Sequence, residues 1–114
     1  MIQIYHNPRC GKSRNCLAFL NEANEDYEVI SYLTETPSFE ELKNLLEKLN
    51  LKPIELIRIK EKIWMENYKG KEMNDTQLIE AMIDNPILIE RPIVIKDGKA
   101  IIGRDLEKVA DFLK

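Results

Sequence analysis

Cysteine occurs only twice in these 114 residues, histidine and tryptophan once each, and glycine four times. So few thiols cannot make a disulfide scaffold, and at this length one domain can bury a core without disulfide or metal staples. Long apolar runs are missing as well. None approaches the roughly 20 residues that a membrane-spanning helix needs, and no membrane partner is expected. The N-terminus lacks the basic region, apolar segment and small-residue cleavage site of a secretion signal. Two thiols without such a signal point to a reducing, cytoplasmic setting, where thiols are more often chemical than structural. No basic arm or lysine-rich block appears and the net charge is −3, which argues against direct binding of nucleic acid. Repeats, low-complexity tracts and long linkers are absent too. What remains, 44% apolar and 32% charged, is the composition of an ordinary globular protein.

The pattern along the chain divides into three parts. Residues 2–6 (IQIYH) read as a strand. Residues 12–24 carry Cys16, Phe19, Leu20 and Ala23 at helical spacing, and 27–33 (YEVISYL) return to strand-forming residues. This is a β–α–β unit, which implies parallel strands with a right-handed crossover. A helical block follows at about 37–85. Ser38 and Glu41 form a capping box ahead of Phe39, Leu42, Leu45, Leu46 and Leu49. Residues 53–68 predict one or two short helices, and Asn74 or Asp75 caps another, with Leu78, Ile79, Met82 and Ile83 on its buried side. Last come 92–96 (PIVIK) and 100–103 (AIIG), joined by Asp-Gly as a hairpin. Asp105 then caps a helix with Leu106, Val109, Ala110 and Leu113 as its stripe. With the helical block set aside, the order resembles a thioredoxin-like α/β fold: a four-stranded mixed sheet flanked by helices, in a single domain 1–114. That fold places a cis proline at the start of its third strand, facing a reactive cysteine; Pro92 at the start of 92–96 fits this, though spacing does not fix its isomer.

The stretch HNPRCGKSRNC sets Cys10 between a strand end and a helix start, with Gly11 permitting a tight turn. The first N–H groups of a helix have no intrahelical partners and favour an anion. A thiol near pKa 8.5 is only slightly ionised at neutral pH, and lowering it two units takes about 2.7 kcal/mol. A helix terminus contributes about 0.3–1 kcal/mol. Cations must therefore add to it. Arg9, Lys12 and Arg14 are the nearest in sequence, and Arg9 and Lys12 read equally well as solvated surface. His6 is either a hydrogen-bonding neighbour of the sulfur or a packing residue. Cys16 lies on the apolar stripe of its helix and reads as a small buried hydrophobe. It sits about 120° around the helix from Cys10, so a disulfide between the two would require the first turn to unwind.

Arginine is scarce beside lysine, five against twelve. Arg58, Arg91 and Arg104 all lie at the edges of apolar segments. A guanidinium binds tetrahedral oxyanions with two parallel hydrogen bonds and keeps its charge when partly buried. Each alone could be a surface ion pair, with Glu90 and Asp105 as adjacent partners; together they are better explained as an oxyanion pocket.

Three blocks, IYHNPRCGKSRN, NPILIERPIVI and AIIGRDLEKV, resemble the signature segments of the glutaredoxin-coupled arsenate reductase family, in order and across nearly the whole chain. The resemblance implies that Cys10 is the nucleophile towards arsenate or a similar oxyanion. It implies that His6 lies near Cys10, that Ser13 and Arg14 set the turn and its charge, and that Arg58, Arg91 and Arg104 bind the oxyanion. It further implies glutathione as co-substrate and glutaredoxin as partner, with no metal and no resident cofactor, in a protein expected to work as a monomer. One departure is Asp105, where many members have proline after the last arginine; its carboxylate is a possible partner for Arg104. Related Spx-type regulators bind RNA polymerase and sense oxidation through Cys-x-x-Cys, but here that stretch is Cys-Gly-Lys-Ser. Two alternatives remain: a monothiol glutaredoxin-like exchanger, which leaves the three arginines unexplained, and a non-enzymatic Spx-like adaptor.

Overall fold

Ile2, Ile4 and Tyr5 are buried around the half-buried Gln3, and Ile2–Tyr5 forms the first strand, β1, in the computed structural model, which describes residues 1–114. Gly11–Glu22 forms helix α1, with Ser13, Cys16 and Leu20 buried. The expected stripe is therefore shifted by a turn towards the N-terminus. Phe19 is half-buried and Ala23 exposed, because the helix ends at Ala23 and Asn24 adopts a left-handed φ of 58°. Strand β2 covers Tyr27–Ile30. It stops short of residue 33 because the Ser31 carbonyl accepts the N–H groups of Thr34 and Glu35 and turns the chain. Within that turn Tyr32 is fully buried and stacks on Tyr5, ring centres 5.9 Å apart.

Strands β3 (Ile93–Lys96) and β4 (Lys99–Ile102) form the expected hairpin. Asp97 and Gly98 both have positive φ, 52° and 76°, as a tight two-residue turn between twisted strands requires. The sheet has the order β2-β1-β3-β4. β1 is parallel to β2 and antiparallel to β3, with Ile4 opposite both Val29 and Val94, and β3 is antiparallel to β4. This is the mixed α/β arrangement that the element order implies.

On one sheet face Ile2, Ile4 and Val94 pack with Cys16 and Leu20 of α1 and with Val109 of helix α6, Leu106–Leu113. The Asp105 carboxylate caps α6 by accepting the N–H groups of Glu107 and Lys108. Leu106, expected in the buried stripe, is instead 37% exposed. Only Val109 of that helix is fully buried, with Phe112 and Leu113 packed beside it. Gly103 allows this layer to close. A Cβ there would lie 3.1 Å from Cys16 Sγ, 3.2 Å from Val94 and 3.3 Å from Val109, so any side chain would press on all three.

The chain divides into two compact units: Met1–Glu35 with Arg91–Lys114, which holds the sheet, and Thr36–Glu90, which is helical. In the second unit α2 (Phe39–Leu49) carries the full Ser38/Glu41 capping box and buries Leu42, Leu45 and Leu46. The 53–68 stretch makes two short helices, α3 (Pro53–Leu56) and α4 (Lys62–Asn67). Asn74, rather than Asp75, caps α5 (Asp75–Asp84), which buries Leu78, Ile79, Ala81 and Met82. Pro86 starts a 3₁₀ turn over Pro86–Leu88. An antiparallel bridge between Ile57 and Ile89 follows, flanked by hydrogen bonds from Arg58 N to Leu88 O (2.7 Å) and from Glu90 N to Leu56 O (2.9 Å). That bridge is why the helical unit runs on to Glu90.

Candidate active site

Pairing of β1 with β2 ends where the His6 N–H donates to the Ile30 carbonyl at 3.0 Å. The chain then leaves the sheet through Asn7, Pro8, Arg9 and Cys10 to enter α1. Pro8 and Arg9 are exposed, whereas Asn7 is only 2% exposed. Cys10 is the N-cap residue, extended at φ −94° and ψ 122°, half-buried and in no disulfide. No acidic residue occupies the first turn of α1.

This setting acts on the sulfur in two opposing ways. Burial pushes the Cys10 thiol up. The N–H of Ser13, the Arg91 guanidinium and the N–H of Lys12 outweigh it, so the pKa lies below its ordinary value of 9.0. Cys16, buried on the far side of the same helix with no such partners, is pushed up to about 11. It is an inert packing thiol.

Two arginines of the sheet unit, Arg91 and Arg104, reach the sulfur. Arg91 is 8% exposed, immediately before Pro92, and the Arg91–Pro92 peptide is cis. Arg104 follows β4; its Nη1 stands 4.0 Å from Cys10 Sγ and donates to the Arg91 carbonyl at 3.0 Å. The fold thus brings residues 10, 91 and 104 together.

Arg58 belongs to the helical unit. Its Nη1 donates to Glu90 at 2.7 Å and its Nε to Glu61 at 3.1 Å. Those carboxylates outweigh its partial burial and raise its pKa further, so it remains a cation.

The supporting residues form a layer beneath the turn. Ser13 Oγ lies 2.7 Å from His6 Nδ1 and accepts the Asn7 N–H at 3.0 Å. Ser13 therefore directs its amide, not its hydroxyl, at Cys10. Arg14 donates from Nη1 to the Pro8 carbonyl at 2.9 Å. Burial first, and then the nearby Arg14 charge, lower the His6 pKa below 6.5, so the imidazole is neutral at pH 7. Arg9 and Lys12 have exposed side chains; what Lys12 gives the sulfur is its backbone N–H. The Asp105 carboxylate, expected as a possible partner of Arg104, is used at the start of α6.

Asn7 and Gly103 escaped the sequence reading. The Asn-Pro dipeptide was the available signal for Asn7, since such pairs initiate turns. For Gly103 nothing local distinguishes close packing from flexibility.

A cysteine whose pKa is lowered at a helix start, beside two guanidinium groups, is equipped once ionised to attack an electrophilic oxyanion. Comparison with known proteins gives the family. The profile of the ArsC family matches residues 5–112. The chain belongs to the ArsC family. An arsenate reductase of Neisseria meningitidis serogroup B is 40% identical, the alignment covering 98% of this chain and 97% of the relative. The uncharacterised protein YfgD of Escherichia coli K12 is 43% identical over 98% and 96% of the two chains. The solved structure of an arsenate reductase from Vibrio cholerae superposes with a TM-score of 0.90 at 43% identity, covering 96% of this chain and 95% of that one. This ArsC-family chain therefore has the thioredoxin-like fold expected from its element order, and its relatives include enzymes named for arsenate reduction.

Proposed function

We propose that this chain reduces arsenate through a cycle that uses one enzyme thiol, Cys10. The observation that carries the reading is the Arg104 guanidinium 4.0 Å from a Cys10 sulfur set at the N-cap of α1, where the first amides of the helix and Arg91 lower the thiol pKa. The thiolate attacks As(V); an S–As bond forms and an arsenate oxygen leaves as water, with a proton taken from solvent. Arg91 and Arg104 hold the remaining oxygens and offset the negative charge of nucleophile and substrate. Arg58 is the third candidate for this role, and it must first exchange Glu61 and Glu90 for the oxyanion. Glutathione, as its thiolate with the proton given to solvent, then attacks the Cys10 sulfur. The S–As electron pair stays with arsenic, which leaves as arsenite, As(III), and the two sulfurs form a mixed disulfide. A glutaredoxin thiolate takes the glutathionyl sulfur and returns Cys10 as thiolate. Neutral His6 orients Ser13, and Arg14 ties down Pro8. The cycle requires no resident metal or cofactor, suits a reducing cytoplasm and needs only a monomer.

The test is arsenate-dependent NADPH consumption with glutathione, glutaredoxin and glutathione reductase. Wild-type protein is expected to turn over, and Cys10→Ser to fall to background. Turnover retained in Cys10→Ser would sink the proposal. So would a wild type inert to arsenate that reduces a glutathionylated peptide.

A further inference from the structure

Asn7 is a polar side chain that is 2% exposed, in a turn whose next two residues are exposed. Burying an amide is costly unless its groups are satisfied. Three groups of Asn7 are engaged, all within the turn that carries the nucleophile. Its side-chain Oδ1 accepts the N–H of Arg9 at 2.9 Å. Its carbonyl accepts the N–H of Cys10 at 3.0 Å. Its own N–H donates to Ser13 Oγ at 3.0 Å.

These bonds have a directional consequence. An open turn before a helix leaves its N–H groups pointing outward, where they form an anion-binding concavity. Here Asn7 ties back the N–H groups of Arg9 and Cys10, while those of Lys12 and Ser13 remain directed at the sulfur. The bond to Ser13 Oγ also holds the first turn of α1, and with it the Ser13 amide, in place. From the burial of Asn7 and its three bonds we infer that it is a positioning residue for Cys10: it closes the turn through its side chain and so fixes the sulfur over the first amides of α1. The inference rests on the proposed role of Cys10 as nucleophile and assigns Asn7 no contact with substrate.

An alanine at position 7 keeps both backbone bonds and loses only the bond from Arg9. The turn then loosens at Arg9 and the sulfur is less often over the Ser13 and Lys12 amides. The experiment is the pH profile of Cys10 alkylation by iodoacetamide in folded wild-type, Asn7→Ala and Asn7→Ser proteins, with arsenate turnover measured alongside. Asn7→Ala is expected to raise the thiol pKa by about one unit, the scale of one hydrogen bond. Its arsenate kcat/KM at pH 7 should fall several-fold and recover as pH rises through the new pKa. Serine can accept the same N–H more weakly, so Asn7→Ser should fall between alanine and wild type. If alanine prevents folding, the serine variant alone decides: a raised thiol pKa supports the assignment and an unchanged one overturns it. A folded Asn7→Ala protein whose thiol titrates as wild type, whatever its melting temperature, would make Asn7 merely structural. A wild-type thiol that titrates at the ordinary 9.0 would instead overturn the proposed role of Cys10 itself.

Discussion

The mouth of α1 and its buried face each hold a cysteine, and the two behave as different functional groups. Burial raises the pKa of both. At Cys10 two amides and a guanidinium reverse the effect, while at Cys16 nothing opposes it and the thiol rises to about 11. Exposure alone would not have separated them by chemistry, since a half-buried thiol without donors is an unreactive one. Direction matters more. Cys10 stands at the end of the helix where N–H groups lack intrahelical partners, and β3 and β4 deliver Arg91 and Arg104 to that same end. Cys16 faces Ile2, Ile4, Leu20, Val94 and Val109, which offer only apolar contact.

The sharpest way to break this contrast is at Arg91. Arg91→Ala is expected to return the Cys10 thiol towards 9.0 and to cut arsenate kcat/KM by about 10²–10³, the usual cost of removing one charge-stabilising donor. Steady-state assays beside an alkylation pH profile would show both. A lost melting temperature with an unshifted thiol would reduce Arg91 to a structural cation.

A smaller effect sharpens the buried side. Gly103→Ala presses a methyl group on Cys16, Val94 and Val109 and should cost about 1–3 kcal/mol in urea unfolding. Because Cys16 Sγ is the nearest of the three atoms, Cys16→Ala should relieve part of that loss, making the double variant more stable than additivity allows. Cys16→Ala alone should leave turnover intact. Strict additivity would mean that Val94 and Val109 set the clash.

The smallest effect is electrostatic. The folded His6 pKa lies below 6.5 and the unfolded one near it, so below about pH 6.5 the unfolded chain binds a proton that the folded chain refuses. Stability should fall as pH drops through that window. Cys10 adds a loss of the same sign at higher pH, as the thiolate is protonated below 9.0 through its lowered folded pKa. Urea midpoints between pH 8 and 5 should therefore decline, and His6→Gln should flatten the acidic end. A wild-type midpoint that rose on acidification would contradict the burial of His6.

Much of this arrangement was legible in the sequence because it is written locally. Ser38 with Glu41, Asn74 before its helix, Asp97-Gly98 between apolar runs and the alternation of Ile2 to Tyr5 each declare their element within a few residues. Cys10 was legible because basic residues and a glycine around a thiol have few packing explanations. What escaped notice depends on partners far along the chain. The Arg58 guanidinium meets Glu90 because the Ile57–Ile89 bridge aligns them across 32 positions. Gly103 matters only once Cys16 and Val109 are known to flank it. Leu106 looked like a core residue by spacing, yet Asp105 sets the start of α6 so that Val109 alone is fully covered. Asn7 shows the same gap at shorter range: Asn-Pro announces a turn without telling which amides the side chain captures.

The sulfur at the N-cap has a consequence beyond reactivity. In the proposed reaction the atom that carries the chemistry also sits at the N-cap of α1, so when it is ionised its charge and the cohesion of the first turn rise and fall together. Each covalent form of Cys10 forgoes that charge and loosens the turn a little. The resting thiolate is then the tautest form in the proposed cycle, and the last step, in which glutaredoxin frees Cys10, is helped along by the helix rewinding.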